Sequence, residues 1–314
     1  MRIVYFGTPH FAADVLQYLL DHGVNVVAVV TKPDKPQGRS GTPVPTPVKL
    51  VAERKGIPVL QPDIVSSPEH TPILAAFHAD LFVVVAYGEI IKQHLLDMPK
   101  IACINVHASL LPYYRGAAPI QRSIINGEKE TGITIMHMAK KMDAGDIIAM
   151  ETVPIGDNTT YGELEAELCA VGSRLLLHTL HEAEKGPLPR IPQDHSQATL
   201  APKIEIEDCQ IHWNQPADTI HNLVRGVNPH PTAWCPVIVK GQNKRLRVIA
   251  TTVASREPSN TPPGQIIASS KHGLQISCEP GILHLLQVQL EGKKSMSADE
   301  FMRGHPSGSL LFSF

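Results

Sequence analysis

The first thirty residues constrain the fold more than any other part of the chain. Arg2–Phe6 is an apolar run, and Gly7-Thr8-Pro9 breaks it. From Phe11 to Leu20, the residues Val15, Leu16, Leu19 and Leu20 fall on one helical face. His22-Gly23 closes that helix, and Val24–Val30 is a second apolar run. A strand, a helix and a strand joined this tightly pack as a right-handed crossover between parallel neighbours. The expected fold class is therefore α/β with a mostly parallel sheet. A dinucleotide site would need G-x-G-x-x-G after the first strand. Gly7-Thr-Pro-His-Phe11 does not supply it, so no nicotinamide cofactor is expected.

The most apolar strand is Asp80–Ala86, the pattern of a central strand covered on both faces. Ile57–Leu60 reads as a shorter strand, and helices are expected over Val48–Lys55, from Ser67-Pro68 to Phe77, and over Glu89–Leu96. Lys32–Pro47 is too rich in Pro and Gly to be a regular element. Its Lys32, Lys35 and Arg39 outnumber Asp34, which suits either a solvated loop or a clamp for an anionic ligand.

The stretch Ile101–Pro112 begins as a strand through Ile101, Cys103 and Ile104 and then turns polar at Asn105 and His107. Two residues apart on a strand, these side chains share a face. Pro112 stops the ladder. A strand that becomes polar on one face at its carboxyl end is where open α/β sheets place their chemistry. Thr131–Met138 reads as the next strand, followed by the turn Lys140–Asp146, which carries Asp143 at the same sheet edge if that strand is parallel. An amide, an imidazole and a carboxylate suit acyl transfer. Asn105 can donate to a developing oxyanion, His107 can donate there or shuttle a proton, and Asp143 can orient the imidazole and accept charge from an amine. No Ser or Cys lies in a nucleophile context, so the substrate is expected to bring its own nucleophile.

Further on, Ile147–Pro154 is a strand, and Thr160-x-x-Glu163 offers a capping box to a long helix. His178-x-x-His181 on that helix reads as a solvated face, and no metal is expected. Pro187–Lys203 holds four prolines and no apolar period. It suggests a first domain over residues 1–186, a linker over 187–206 and a second domain over 207–314. Five strand-like runs in the second domain suggest a small OB-like β-barrel. Its cations, including Lys244 and Arg245, make either an ordinary basic surface or a face that holds RNA.

Hydrophobic residues make up 43% and charged residues 18%, the mix of a globular protein, and the net charge of −2 argues only weakly against a nucleic-acid partner. No apolar run approaches the ~18 residues of a membrane span, and no secretory leader is apparent, so no membrane partner is expected. The five scattered cysteines lack any C-x-x-C pair, which points to reduced thiols and a cytoplasmic location. A monomer is expected.

Asn105-Val-His-Ala-Ser-Leu-Leu-Pro112, Arg115-Gly116 and Asp143-Ala-Gly145 together resemble the signature of the folate-dependent formyltransferases. Phe6-Gly-Thr-Pro9, Lys32-Pro-Asp34 and Arg225-Gly-Val-Asn-Pro229 narrow the resemblance to members whose acceptor is a charged tRNA. The resemblance covers nearly the whole chain. It implies a Rossmann-like catalytic domain, an OB-like tRNA platform, and transfer of formyl from 10-formyltetrahydrofolate to the α-amine of initiator methionyl-tRNA. It assigns catalysis to Asn105, His107 and Asp143, folate contact to Ser109, Leu110, Leu111 and Pro112, and tRNA contact to the loop around Arg39. Where the family carries more cations after Arg39, this sequence has Ser40-Gly-Thr-Pro43, and His137 stands where Gln is usual. Two alternatives stay open: an amino-sugar nucleotide as acceptor, and a non-catalytic RNA-binding protein.

Overall fold

The structure is a computed structural model that describes residues 1–36, 41–239, 241–268, 273–305 and 310–312. In chain order the first elements are β1 (Ile3–Gly7), α1 (His10–Asp21), β2 (Val26–Val30), β3 (Lys35–Pro36), β4 (Pro43–Val44) and α2 (Pro47–Arg54). There follow β5 (Val59–Leu60), α3 (His70–Ala75), β6 (Leu81–Val85), α4 (Gln93–Leu96), β7 (Ala102–His107) and α5 (Pro119–Ile125). Next come β8 (Glu130–His137), β9 (Ile147–Pro154), α6 (Tyr161–Lys185) and α7 (Ala217–Gly226). The chain ends in β10 (Ala233–Val239), β11 (Gln242–Ser255), β12 (Ile266–Ala268), β13 (Leu274–Cys278), β14 (Gly281–Leu290), β15 (Met296–Ser297), α8 (Ala298–Gly304) and β16 (Leu310–Phe312). It divides into one unit of Met1–Gly116, Glu130–Pro154 and Glu165–Ala201, and a second of Ala117–Lys129, Ile155–Leu164 and Pro202–Phe314.

The first unit is built on a sheet of order β5-β2-β1-β6-β7-β8-β9. The strands from β5 to β7 run parallel, whereas β8 and β9 are antiparallel to their neighbours. Every residue of β1, β6 and β7 is buried, as their apolar patterns require. Each large side chain so buried contributes about 1.5–3 kcal/mol. In α6, Gly172 faces Ile133 and Val106, which seats the helix on β7 and β8. Its start carries the expected capping box. Thr160 N donates to Glu163 Oε2 at 2.9 Å, and Glu163 N donates to Thr160 Oγ1 at 3.3 Å.

Four expectations change. The Lys32–Pro47 stretch, expected to hold no regular element, carries the short antiparallel pair β3 and β4, with Lys35 opposite Val44. The strand after Ile101–Pro112 is antiparallel, with Ile104 opposite His137 and His107 opposite Thr134, so β8 does not end at the carboxyl edge of β7. The helix from Ser67 shortens to α3. The helix from Glu89 shortens to α4 because Glu89 and Lys92 are engaged elsewhere. Glu89 accepts from Lys32 Nζ at 2.5 Å and from Val65 N at 2.9 Å, and Lys92 N donates to Ser66 Oγ at 3.0 Å.

The second unit carries an antiparallel sheet of order β12-β13-β14-β11-β10-β16, with β15 on β14, a barrel-like arrangement around a continuous apolar core. Trp213, Phe301, Leu246, Val248, Leu283 and Leu285 fill that core.

Candidate active site

β7 is the strand where the sheet changes sense: β6 lies parallel on one side and β8 antiparallel on the other. Asn105 and His107 project from one face of it, two residues apart. Asn105 is 9% exposed, and its amide makes no hydrogen bond with any described residue. A buried amide usually has partners, and one without them is suited to a substrate carbonyl.

His107 is buried, and its Nε2 lies 2.9 Å from the carbonyl of Tyr114. A carbonyl only accepts, so Nε2 carries the proton of the neutral ring and donates it there. Nδ1 is left bare on the side of Asp143, whose Oδ2 is 3.8 Å away. A proton taken up at Nδ1 would therefore appear beside a carboxylate.

Asp143 reaches this point from the far end of β8 by a turn that folds back. His137 N donates to Asp146 O at 2.9 Å and closes the base of the turn. Gly145 sits so close to the His137 carbonyl that a Cβ would overlap it. Asp143 itself has a left-handed backbone, φ +49°. That conformation costs most residues about 1–2 kcal/mol, and Asp tolerates it better than most. Gly116 N donates to Asp143 Oδ2 at 2.8 Å. One loop thus touches both groups: Tyr114 receives His107, and Gly116 holds Asp143.

The loop after β7 is anchored internally. Ser109, buried, donates to Tyr113 O at 2.7 Å, and Leu111 packs with Met136 and Ile147. Thr134 Oγ1 accepts from Leu111 N at 3.1 Å and donates to Ser109 O at 2.6 Å. Of the four residues expected to contact folate, Leu110 and Pro112 are the ones left half-exposed.

The segment after α6 does more than connect. Thr199 Oγ1 accepts from Tyr114 N at 2.8 Å, Thr199 O accepts from Arg115 N at 2.9 Å, and Ala201 N donates to Arg115 O at 2.7 Å. Gln193 Nε2 donates to the carbonyls of Asp143 and Gly145 at 2.9 and 2.7 Å. Arg115 Nη2 donates to Gln193 Oε1 at 2.6 Å and to His195 Nδ1 at 2.9 Å. Arg115 is buried, forms no ion pair with a described residue, and leaves its Nε unpartnered. His137 is held to this segment too, Nε2 donating to Pro189 O at 2.9 Å. Burial keeps its imidazole below the ordinary pKa, although that carbonyl opposes the shift. Gln193, Thr134 and Thr199 were not among the expected site residues. No local pattern marks them, since Gln193 lies fifty residues from the turn it holds.

Of the expected tRNA contacts, Arg39 lies outside the described residues. Lys244 and Arg245 are on β11 of the second unit, where the exposed Arg245 guanidinium lies 4.1 Å from the centre of the Trp234 ring. Trp213 is core, whereas Trp234 is half-exposed and donates to Ile206 O at 2.9 Å.

The sequence matches the formyl transferase family over residues 1–180 and the formyl transferase C-terminal domain over residues 203–306. A methionyl-tRNA formyltransferase of Protochlamydia amoebophila is 58% identical over 99% of this chain and 98% of its own length. One from Chlamydia caviae is 44% identical over 100% of this chain and 98% of its own length. Among solved structures, WlaRD, a sugar 3N-formyl transferase with dTDP and 5-N-formyl-THF, superposes with a TM-score of 0.66 over 94% of this chain and 99% of its own, at 18% identity. That likeness extends the shared fold to an acceptor of another kind. With the full-length identity to the two relatives and the paired domain matches, it follows that this chain belongs to the methionyl-tRNA formyltransferase family.

Proposed function

We propose that this enzyme transfers the formyl group of 10-formyltetrahydrofolate to the α-amine of initiator methionyl-tRNA. The observation that carries the reading is the convergence at the end of β7: the amide of Asn105, with no partner among the described residues, beside an imidazole and a carboxylate bridged by one loop. The unpartnered Asn105 amide fits a substrate that presents a carbonyl oxygen. Leu110 and Pro112 offer it an apolar border.

Asn105 donates to the formyl oxygen as that atom gains negative charge. His107, with Nε2 committed to Tyr114, acts at Nδ1, where it takes up the proton released by the attacking amine. Asp143 stabilises the charge that then forms on the ring. Folate supplies the one-carbon unit: as the amine nitrogen bonds to the formyl carbon, the bond from that carbon to folate N10 breaks, and the proton held by His107 passes to N10. The protein's part is to hold donor and amine together, which converts a bimolecular reaction into an effectively unimolecular one. Free α-amines titrate near pH ~8, so little base strength is required of His107. Arg39, Lys244 and Arg245 contact the tRNA, and the enzyme acts as a monomer in the cytoplasm, a reading that the free state of its cysteines supports.

Formylation of charged initiator tRNA, charged elongator tRNA and an amino-sugar nucleotide tests the assignment. Transfer to the initiator tRNA alone is expected. Transfer to the sugar, or equal transfer to both tRNAs, overturns the choice of acceptor, and tRNA binding without release of tetrahydrofolate overturns the enzymatic reading. In the same assay Arg245→Ala raises the KM for tRNA and leaves that for folate unchanged. An unchanged tRNA KM removes Arg245 from the interface.

A further inference from the structure

We propose that Gln193 is a positioning residue for formyl transfer, acting through the backbone of the Asp143 turn; this rests on the role given to Asp143 above. Gln193 is 7% exposed and uses all of its side-chain polarity on one task. Its Nε2 donates to two carbonyls, those of Asp143 and Gly145, on either side of Ala144. Its Oε1 accepts from Arg115.

The orientation of the amide is fixed by these partners. Exchanging its oxygen and nitrogen would set Oε1 against two carbonyls and Nε2 against a guanidinium, and neither contact could form a hydrogen bond. Arg115 therefore determines which way Gln193 points, and Gln193 determines where the two carbonyls of the turn lie. The first of them belongs to the left-handed residue that carries the carboxylate, Asp143. Without the two donors, the turn loses its buried partners and Asp143 loses the contact that holds its unfavourable φ.

The carboxylate end is held separately. Gly116, next to Arg115 in the chain, donates to Asp143 Oδ2. Asp143 is thus gripped at backbone and side chain by holders that both trace to the Arg115-Gly116 step. The 3.8 Å separation of Oδ2 from His107 Nδ1 is the distance this grip sets. Gln193 hydrogen-bonds neither Asn105 nor His107, so its effect on the reaction runs through Asp143.

A double-mutant cycle tests this. Gln193→Glu keeps the acceptor for Arg115 and removes both donors, and Gln193→Met removes donors and acceptor without adding charge. Steady-state formyl transfer is measured for each alone and in combination with Asp143→Asn, after thermal unfolding has established that each variant folds. Either substitution is expected to lower kcat about ten-fold or more with KM for both substrates within about two-fold, and the loss should shrink to about two-fold or less over Asp143→Asn. Equal losses in the two backgrounds overturn the proposal. Wild-type kcat in a folded variant does the same, and loss of folding in both variants assigns Gln193 a purely structural role. Failure of the underlying reading looks different: Asp143→Asn alone would then leave turnover unchanged.

Discussion

Each unit buries an arginine that forms no ion pair among the described residues, Arg115 in the first and Arg225 in the second, and the two are held in opposite ways. Arg225 is bound mainly by backbone. Its Nη1 donates to the carbonyls of Gly156 and Thr159 at 3.2 and 3.1 Å, and its Nε donates to Asn222 Oδ1 at 2.9 Å. Burial lowers its pKa, partly offset by the charge of Asp157. Among the described residues the Arg115 guanidinium is bound through the side chains of Gln193 and His195, and its Nε is left over. A cation tied to carbonyls fixes the path of a loop. A cation tied to another side chain aligns that side chain, and here the aligned group leads to the turn that carries Asp143.

The strongest separation of the two regions is expected from Asn105→Ala, which should lower kcat roughly 100-fold or more, about 3 kcal/mol, with little change in KM. Near-normal turnover would remove Asn105 from the chemistry and blur the distinction at its root. Next comes the arginine pair. Arg225→Leu should lower stability by roughly 1–2 kcal/mol, measured in urea, because it removes the donor shared by the Gly156 and Thr159 carbonyls and Asn222 Oδ1, while kcat of the folded protein stays within about two-fold. Arg115→Leu should show the reverse emphasis, with kcat down about ten-fold in protein that is fully folded at the assay temperature. Proportionate losses of stability and activity in both variants would erase the contrast.

The smallest effect concerns two histidines, His137 in the first unit and His221 in the second, each held below its ordinary pKa mainly by burial. As pH falls below about 6.5, the unfolded chain binds these protons first, so the unfolded state is favoured. The stability in question is intact above that pH and declines as pH drops toward the folded-state value. His137→Gln and His221→Gln should each flatten the fall of Tm between about pH 7 and pH 5. An unchanged slope would place the acid sensitivity elsewhere.

The sequence made the parallel half of the first sheet legible because β1, β2, β6 and β7 are short apolar runs between clear breakers, and burial follows composition there. The face shared by Asn105 and His107 follows from strand geometry alone. The direction of β8 could not be read, since alternation within a strand is the same whichever way it runs. Asp143 therefore meets His107 by a different path from the expected one, a turn closed at its base by His137 and Asp146. The shortened α4 has a similar cause: Glu89 and Lys92 look helical locally, but tertiary partners take their polar groups. Gln193 was hidden because its value depends on Asp143, Gly145 and Arg115, all distant in the chain.

The segment from Pro187 to Ala201 looks like spacer in composition, yet it supplies Gln193 to the Asp143 turn and Thr199 to the 114–115 backbone. A fragment trimmed where α6 stops would still contain Asn105, His107 and Asp143, and would look complete on a residue inventory. It would lack the brace on the turn and the rail along which the 113–116 loop lies. A piece meant to keep the geometry of the Asp143 turn and of the 114–115 backbone therefore has to extend beyond Ala201.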